Sequence, residues 1–474
     1  MMNKKSLLAP LFAAMLLIIS LLASCAKEEV VITDREIKEK IDNKIDAYRT
    51  DLLDSQDSLT TNEKIEKHLK NWADSKGVRN DVDDGIITMN VDSSMIYKDA
   101  PQTVLICPYD HTQFENYVEP IALTLYVLKN NEDTGALTAV FVPEEDNRLG
   151  KAVGIQKKYI QKDAKVIVLN GSSHGLAAYE CGGSSTYRFT SKVKKQTPSH
   201  RKAYRIVISG VKSEQTGNRS VGKINPITEI NSILASTRNA SIDYEISEFE
   251  GGEGSTVAPS EARCVITVDA DKQERFEGRL EKAKANFEDT LPSEDKDAKF
   301  YYREVPLPKR VVSDKDTSKF VSFVYTLLKG EFARNDETDE LIAVTSIPNV
   351  KVNTKRAVVG SIAYSLDESV LKKIDDSEQT LCGLSGYRYK KIGATKVWKG
   401  EKESALAEAL SDSYDKYTGK SLKVKRSVTP TLANAVPDFV SKHDMLALTV
   451  SSNVTKDFTG MIMDYLINTI ETEE

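Results

Sequence analysis

The chain has 474 residues, of which 40% are apolar and 29% are charged, as is usual for a globular protein. Its formal net charge of −6 argues against binding of nucleic acid through phosphate contacts. The length exceeds what one compact core accommodates, so we expect two domains.

The N-terminal segment predicts a lipoprotein signal peptide. Lys4 and Lys5 precede an apolar run over residues 7–22, which is shorter than the roughly 20 residues that span a bilayer core. Small residues then lead directly into Cys25. We expect cleavage after residue 24, a lipid on Cys25, and a tether over residues 25–34. The body would be held at a membrane of the bacterial cell envelope, outside the cytoplasm. The alternative is an ordinary signal peptide with a chance cysteine.

The first half of the chain alternates helices with strands. Ile37, Ile41 and Ile45 are spaced as on an amphipathic helix over residues 34–53. A second helix is expected to begin after Thr61 and to end at Gly77. Strands are predicted at residues 86–91, 103–107, 136–142 and 166–169, with a helix core at 120–128. This alternation favours an α/β layer with a mostly parallel sheet.

The pattern changes after about residue 188. Segments 203–209, 241–249 and 264–269 alternate apolar with polar residues, and helices are predicted at 226–236 and 273–287. That pattern is typical of an α+β unit with helices on one face of an antiparallel sheet.

The last part of the chain looks like the first domain resuming. A helix is predicted at 402–417, a strand at 445–450 and a helix at 460–472. We therefore expect a core domain built from residues 35–187 plus 387–474, with an α+β domain inserted at 188–386.

Several segments carry the pattern of one protein family, in order along the chain. They are Thr61-Asn62-Glu63-Lys64-Ile65, the strand from Val104 to Asp110, Pro143-Glu144-Glu145, Tyr179-Glu180-Cys181-Gly182-Gly183, Gly210 to Gly217, and Ala258-Pro259-Ser260-Glu261-Ala262. Together they resemble the Xaa-His (aminoacyl-histidine) dipeptidases, which are two-zinc metallopeptidases with a lid domain. The resemblance implies a metallopeptidase-like α/β core, with the inserted domain as the lid.

The resemblance also shows which of the family's site residues differ here. Pro108 replaces a metal-binding histidine, Asn116 the bridging aspartate, Asn170 a further aspartate, Gln215 the lid histidine, and Thr256 a lid asparagine. Asp110, which in the family orients the histidine, is kept, as are Glu144 (the general base) and Glu145 (a ligand). The final histidine, His443, precedes the strand at 445–450 instead of following it. Proline has no donor atom and a neutral amide is a weak zinc ligand, so we expect the zinc site and catalysis to be lost and no cofactor to be bound.

Without a dication, the carboxylates of Asp110, Glu144 and Glu145 would repel one another. Like charges in one site raise a carboxyl pKa or attract a cation. The sequence therefore predicts a neighbouring lysine or arginine, or weak binding of calcium or magnesium.

Other interpretations of single motifs remain open. His111 could be a displaced metal ligand, residues 171–175 could present a serine nucleophile beside His174, and Glu144, Glu145 and Asp146 could form a solvated turn. Residues 182–185 are glycine-rich but lack the lysine of a phosphate-binding loop. A basic cluster that could contact an anionic surface comprises Lys192, Lys194, Lys195, Arg201, Lys202 and Arg205.

The cysteines after Cys25 are far apart and form no C-x-x-C pair, which excludes a disulfide-stapled scaffold and a cysteine-based zinc site. They are Cys107, Cys181, Cys264 and Cys382, and one bridge among them stays open.

Three functional hypotheses follow. The first is a lipoprotein with a dipeptidase-like fold that has lost zinc and binds a peptide or small ligand between core and lid. The second is an active metallopeptidase with a rearranged site and two zinc ions. The third is a structural or adhesive surface lipoprotein. The oligomeric state is not determined by the sequence.

Overall fold

The computed structural model describes residues 34–93, 100–131, 134–144, 155, 159–171, 175–219, 221–353, 355–436, 440 and 444–471. Cys25, the predicted signal peptide and residues 25–33 of the tether lie outside the described residues.

The strands are β1 (Arg79–Asp83), β2 (Ile86–Val91), β3 (Thr103–Tyr109), β4 (Leu137–Pro143), β5 (Lys165–Gly171), β6 (Leu176–Cys181), β7 (Gly183–Lys192), β8 (Lys195–Gln196), β9 (Lys202–Ser209), β10 (Tyr244–Gly251), β11 (Ala262–Val268), β12 (Lys299–Glu304), β13 (Val311–Val312), β14 (Gly330–Arg334), β15 (Leu341–Ser346), β16 (Val350–Val352), β17 (Arg356–Ser365), β18 (Arg388–Thr395), β19 (Trp398–Lys399), β20 (Val424–Ser427) and β21 (Met445–Val450). The helices are α1 (Asp34–Ser55), α2 (Asn62–Lys76), α3 (Phe114–Asn130), α4 (Thr216–Arg219), α5 (Pro226–Asn239), α6 (Gln273–Asp289), α7 (Asp314–Thr326), α8 (Glu368–Ser385), α9 (Ala405–Thr418) and α10 (Thr455–Glu471).

The ends of helix α2 are set by capping residues in the local sequence. The hydroxyl of Thr61 accepts a hydrogen bond from the backbone N–H of Lys64 at 3.4 Å, which satisfies one free donor at the helix start. Gly77 ends the helix at φ 70°, a left-handed conformation that glycine adopts without strain. Between these caps Ile65 and Leu69 are buried against the core. The expected start and end of this helix are confirmed.

Nine described strands form the first sheet, in the order β1-β2-β4-β3-β5-β21-β6-β19, with β20 also paired to β6. The central strands β4, β3, β5 and β21 are parallel to one another. They are nearly continuous apolar runs, as expected of strands that are covered on both faces. Strands β1 and β2 extend the sheet in antiparallel pairing. The α/β class with a parallel sheet is confirmed, and the parallel strands form its middle.

Ten described strands form a second sheet, in the order β12-β9-β11-β10-β16-β17-β15-β14, with β7 paired to both β17 and β18. Its pairs are antiparallel. Helices α5, α6, α7 and α8 pack against one face. A hydrophobic cluster of its own lies between these helices and the sheet. The expected α+β pattern is therefore present.

The second sheet begins at Gly183 in β7 and ends at Thr395 in β18. The expected boundaries of the inserted domain, before residue 188 and after residue 386, lie inside β7 and just before β18. Strand pairing decides which sheet these strands join, and that pairing is set by distant segments. The division of the chain into separate domains stays a prediction.

No described helix is both long and apolar enough to cross a membrane.

Candidate functional site

The ends of β3 and β4 bring two of the expected carboxylates together. These strands are parallel neighbours with Tyr109 paired to Pro143, and the backbone N–H of Glu144 donates to the carbonyl of Tyr109 at 2.9 Å. The residues that follow, Asp110 and Glu144, therefore lie side by side at the carboxyl edge of the sheet, where α/β folds place their sites. Glu145 lies outside the described residues.

Asp110 has a structural role in this arrangement. Its side chain is 1% exposed. One carboxylate oxygen accepts the backbone N–H of Thr112 at 2.9 Å, and the other accepts the Thr112 hydroxyl at 2.8 Å. Asp110 thereby caps the short turn His111–Gln113 that leads into α3. In the absence of a histidine to orient, the carboxylate is held by its own loop.

Glu144 is 2% exposed and accepts a hydrogen bond from the phenol of Tyr117 in α3, at 2.6 Å. Burial raises the pKa of Glu144 to about 7; the negative charge of Asp110 adds to the rise, and the hydrogen bond from Tyr117 opposes it. Burial also raises the pKa of Tyr117 well above its usual value, so the phenol remains a donor at neutral pH.

Burial and the negative charge of Asp110 thus both favour the protonated form of Glu144. No ion pair joins Asp110 or Glu144 to a lysine or arginine within the described ranges. The neighbouring cation that we predicted is therefore not found in this part of the chain.

The other replaced positions lie at the same edge. Pro108 is buried in β3, and Asn170 is buried at the end of β5, the other neighbour of β3. Asn116 lies in the first turn of α3, and its backbone carbonyl occupies the space that a side chain at Gly171 would need. Pro108, Asn116 and Asn170 therefore lie near one another at this edge of the sheet.

These side chains do not fit a two-zinc centre. Such a centre needs several histidine and carboxylate ligands in two overlapping shells. Among the residues that the structure describes, no three His, Cys, Asp or Glu side chains lie together in a way that could hold a metal ion. The two carboxylates that the structure describes at this edge are hydrogen-bonded to Thr112 and Tyr117.

The second sheet covers this site with Tyr364 of β17. Tyr364 is 2% exposed, its hydroxyl lies 2.7 Å from the hydroxyl of Thr216, and it is close enough to Glu144 for that carboxylate to raise the pKa of the phenol. Burial is the larger cause of the same rise. The segment that includes Gln215, the position of the lid histidine, is joined to Val257 by an isolated bridge. Segments of the second sheet's domain and the core site thus meet at Tyr364.

An ion pair also joins the two sheets. The guanidinium of Arg426 in β20 donates from Nε to Glu340 at 3.0 Å and forms a second, shorter contact through Nη2. Glu180 of β6 lies 4.0 Å from the same guanidinium. The Arg426 pair therefore connects the first sheet with the loop before β15.

His111 does not point to a metal site. Its side chain is 37% exposed, and its Nδ1 lies 3.1 Å from the amide oxygen of Asn62 at the start of α2. The same oxygen accepts the backbone N–H of His111 at 2.8 Å. His111 therefore joins the loop after β3 to a helix start. His174 and His443 lie outside the described residues.

The remaining motifs have structural contacts. Gly182 packs closely against the carbonyls of Val428 and Ser365, so the glycine-rich segment is a tight crossing between the sheets. In the basic cluster, Lys195 donates to the carbonyl of Ser247 and Lys202 pairs with Glu304. The cysteines after Cys25 are free and buried in the structure.

Sequence reasoning missed Tyr117, Tyr364 and Thr216. Tyr364 and Thr216 approach the site from elements that are distant in the chain, whereas Tyr117 lies in α3, close to Asp110 in sequence. Nothing local distinguishes Tyr117 or Tyr364 from the other tyrosines, of which the chain has 19. These contacts follow from long-range packing only.

Comparisons with known proteins agree with this arrangement. The chain is 21% identical over 298 residues to the cytosol non-specific dipeptidase of Escherichia coli (strain K12), and the match spans 61% of this chain and 60% of that protein. The structure resembles that of aminoacylhistidine dipeptidase from Vibrio alginolyticus with a TM-score of 0.57 and 15% identity, covering 89% of this chain and 96% of the other. No protein-family model matches. The resemblance to the aminoacylhistidine dipeptidases is thus confirmed at the level of the fold, including the lid.

Proposed function

We propose that this chain, which has the fold of the aminoacylhistidine dipeptidases, is a lipoprotein of the bacterial cell envelope that binds a peptide or small ligand without hydrolysing it. The ligand would lie in the cleft between the first sheet and the lid. The lipid on Cys25 and the tether over residues 25–34 would hold the body at the membrane.

The hydrogen bond between Tyr117 and Glu144 carries this proposal. A general base must lie within hydrogen-bond reach of the proton that it abstracts. Here the carboxylate is buried and accepts the phenol of Tyr117, and its pKa is raised to about 7 by burial. The carboxylate at the family's base position is therefore buried and already hydrogen-bonded to Tyr117, and Pro108 supplies no ligand beside it.

Zinc content tests the loss of the metal centre. We expect the purified protein, loaded with zinc chloride and dialysed extensively, to keep well under one zinc ion per chain when measured by inductively coupled plasma mass spectrometry. The reason is that Pro108, Asn116 and Asn170 replace ligands in the family's pattern. Two zinc ions per chain would contradict the proposal and support an active metallopeptidase.

The same preparation should be assayed for dipeptide hydrolysis. We expect no turnover above that of the Glu144→Gln variant, which serves as the matched control because it keeps the shape of the side chain. Hydrolysis by the wild type that the variant lacks would show that Glu144 still acts as a base.

A further inference from the structure

The two faces of the second sheet differ. Tyr187, Phe189 and Val359 point to the face that α5 to α8 cover, and all three are buried in the hydrophobic cluster. Because side chains alternate along a strand, the residues between them point to the opposite face. On that face the short helix α4 packs on the end of β17, where the hydroxyl of Thr216 lies 2.7 Å from that of Tyr364. Helices α5 to α8 do not cover the rest of the face, and its charged residues at the start of β17 and on β16, β7 and β18 are exposed.

Six cationic side chains lie on this uncovered face, and all are exposed. They are Arg188 and Lys192 in β7, Lys351 in β16, Arg356 in β17, and Arg388 and Lys390 in β18; we call them the basic face. Arg356 is paired with Lys192, and Arg188 is paired with Lys390, across adjacent strands. Neighbouring strands are about 4.8 Å apart, so these like charges are close together.

The positive charge of the basic face is mostly uncompensated. Glu250 lies on it, and its carboxylate is shared between Lys351 at 2.6 Å and Arg263 at 2.8 Å. Glu253 lies at its edge. The other five cations form no ion pair and no side-chain hydrogen bond with any described residue. Like charges placed opposite each other in a sheet are destabilising, and the chain as a whole has a net charge of −6. Such a concentration of charge is suited to an anionic partner.

A pocket of about 590 Å³ opens on the basic face, between the strands and the loop that follows β10. It is lined by Arg188, Lys351, Arg356, Asn349 and Ser255, among others. Its size falls in the range of small-molecule sites, and its two arginines can each bind a carboxylate through two parallel hydrogen bonds.

The basic face and the cleft lie at opposite ends of β17. Arg356 and Tyr364 lie an even number of residues apart on this strand, whose pairing with β7 is uninterrupted, so both side chains point to the same face. Tyr364 adjoins Glu144, and Arg356 lies about 26 Å away along the strand at about 3.3 Å per residue. Between them Gly360 is covered by Asn349 and Ile362 is buried, so the exposed part of β17 that belongs to the basic face ends before the cleft.

We propose that the basic face binds an extended peptide with acidic side chains at alternate positions. Alternate side chains of an extended peptide are about 6.8 Å apart, which is also the spacing of same-face residues such as Arg388 and Lys390 along β18. This inference goes beyond the proposed function and does not depend on what the cleft binds.

The test is fluorescence anisotropy with a labelled octapeptide of alternating Glu and Gly, titrated with the wild-type protein. We expect binding that weakens as sodium chloride is raised and a loss of at least tenfold in affinity in the Arg188→Glu/Arg356→Glu variant. The matched control is Lys282→Glu/Lys315→Glu, which changes the net charge equally on α6 and α7 and should bind as the wild type does.

Several results would overturn the inference: no binding of the acidic peptide, equal binding of a Lys-Gly octapeptide, or equal losses in the two double variants. Binding of phosphatidylglycerol vesicles in place of the peptide, with the same dependence on Arg188 and Arg356, would assign the face to a membrane surface and also overturn it. If the double variant does not fold, Lys390→Glu provides the same test at one exposed position. Zinc content decides the proposed function separately, since a protein with two zinc ions could still bind the peptide on this face.

Discussion

The acidity of the Glu144 carboxyl group is set by the buried side chains around it. Its carboxylate accepts a hydrogen bond from Tyr117 and lies beside Asp110, and all three side chains are buried. A metal ion would offset the charge of both carboxylates. Without one, protonation of Glu144 is the alternative that burial favours. The raised pKa and the closed packing around Glu144 therefore have the same physical origin.

The raised pKa of Glu144 predicts a dependence of stability on pH. The folded state holds the proton up to about pH 7, whereas the unfolded state releases it near the ordinary value of 4.5. The free energy of unfolding should therefore fall as pH rises from 4.5 through 7, by about 3 kcal/mol in total. The Glu144→Gln variant should lose this contribution and be more stable than the wild type at pH 8, as measured by urea unfolding across that range.

Glu378 provides the control for this measurement. Glu378 is buried within the domain of the second sheet, where the hydroxyl of Ser361 donates a hydrogen bond to its carboxylate. Burial raises the pKa of Glu378 to about 7 as well. Glu378→Gln should remove a similar but separate part of the pH dependence of the free energy of unfolding, because Glu144 and Glu378 are buried against different sheets. A Glu144→Gln variant with the full pH dependence of the wild type would contradict the environment described for Glu144.

At the scale of elements, local patterns predicted the strands more closely than the helix starts. The strand at residues 445–450 is observed with those bounds, since an apolar run between polar flanks is unambiguous. The helix core predicted at 120–128 lies within α3, which begins at Phe114 and contains Pro120 in its interior. Helix α10 begins at Thr455 instead of 460, and the hydroxyl of Thr455 bonds back to the carbonyl of Ser451.

The packing of α10 on α9 gives a prediction at this scale. Gly460 lies against the ring of Tyr417, and an added methyl group would overlap that ring. Gly460→Ala should therefore lower the free energy of unfolding by about 1–3 kcal/mol through overpacking, measured by urea denaturation.

The matched control is Gly278→Ala in α6, where an added methyl group meets nothing within 4 Å. Alanine is the better helix former, so this variant should gain about 0.5–1 kcal/mol. Equal effects of the two substitutions would show that α9 and α10 do not pack as described.

At the scale of the whole molecule, two sheets with separate hydrophobic clusters are joined at one edge. Arg426 and Glu340 form an ion pair across that edge, and Tyr364 closes the second sheet over Glu144. The site therefore lies between the sheets, and the basic face lies at the opposite end of β17.

The proposed anchor also belongs to this scale. In a bacterial host, Cys25→Ser should move the protein from the membrane fraction to the soluble fraction after cell fractionation, because the thiol that would carry the lipid is removed. Ala26→Ser is the control, since it keeps the cysteine and should leave the protein in the membrane fraction. Equal distribution of both variants would contradict lipidation of Cys25.

The sequence by itself determined the order of helices and strands and the family resemblance, from which follows the prediction that Pro108, Asn116, Asn170 and Gln215 stand at the family's site positions. These are local properties, because caps and apolar periods are set by neighbours in the chain. Only the tertiary structure decided that Tyr117 and Tyr364 enclose Glu144, and that Arg188 and Arg356 share an uncovered face. Those contacts depend on which strands pair and which face the helices cover, and both follow from packing between segments far apart in sequence.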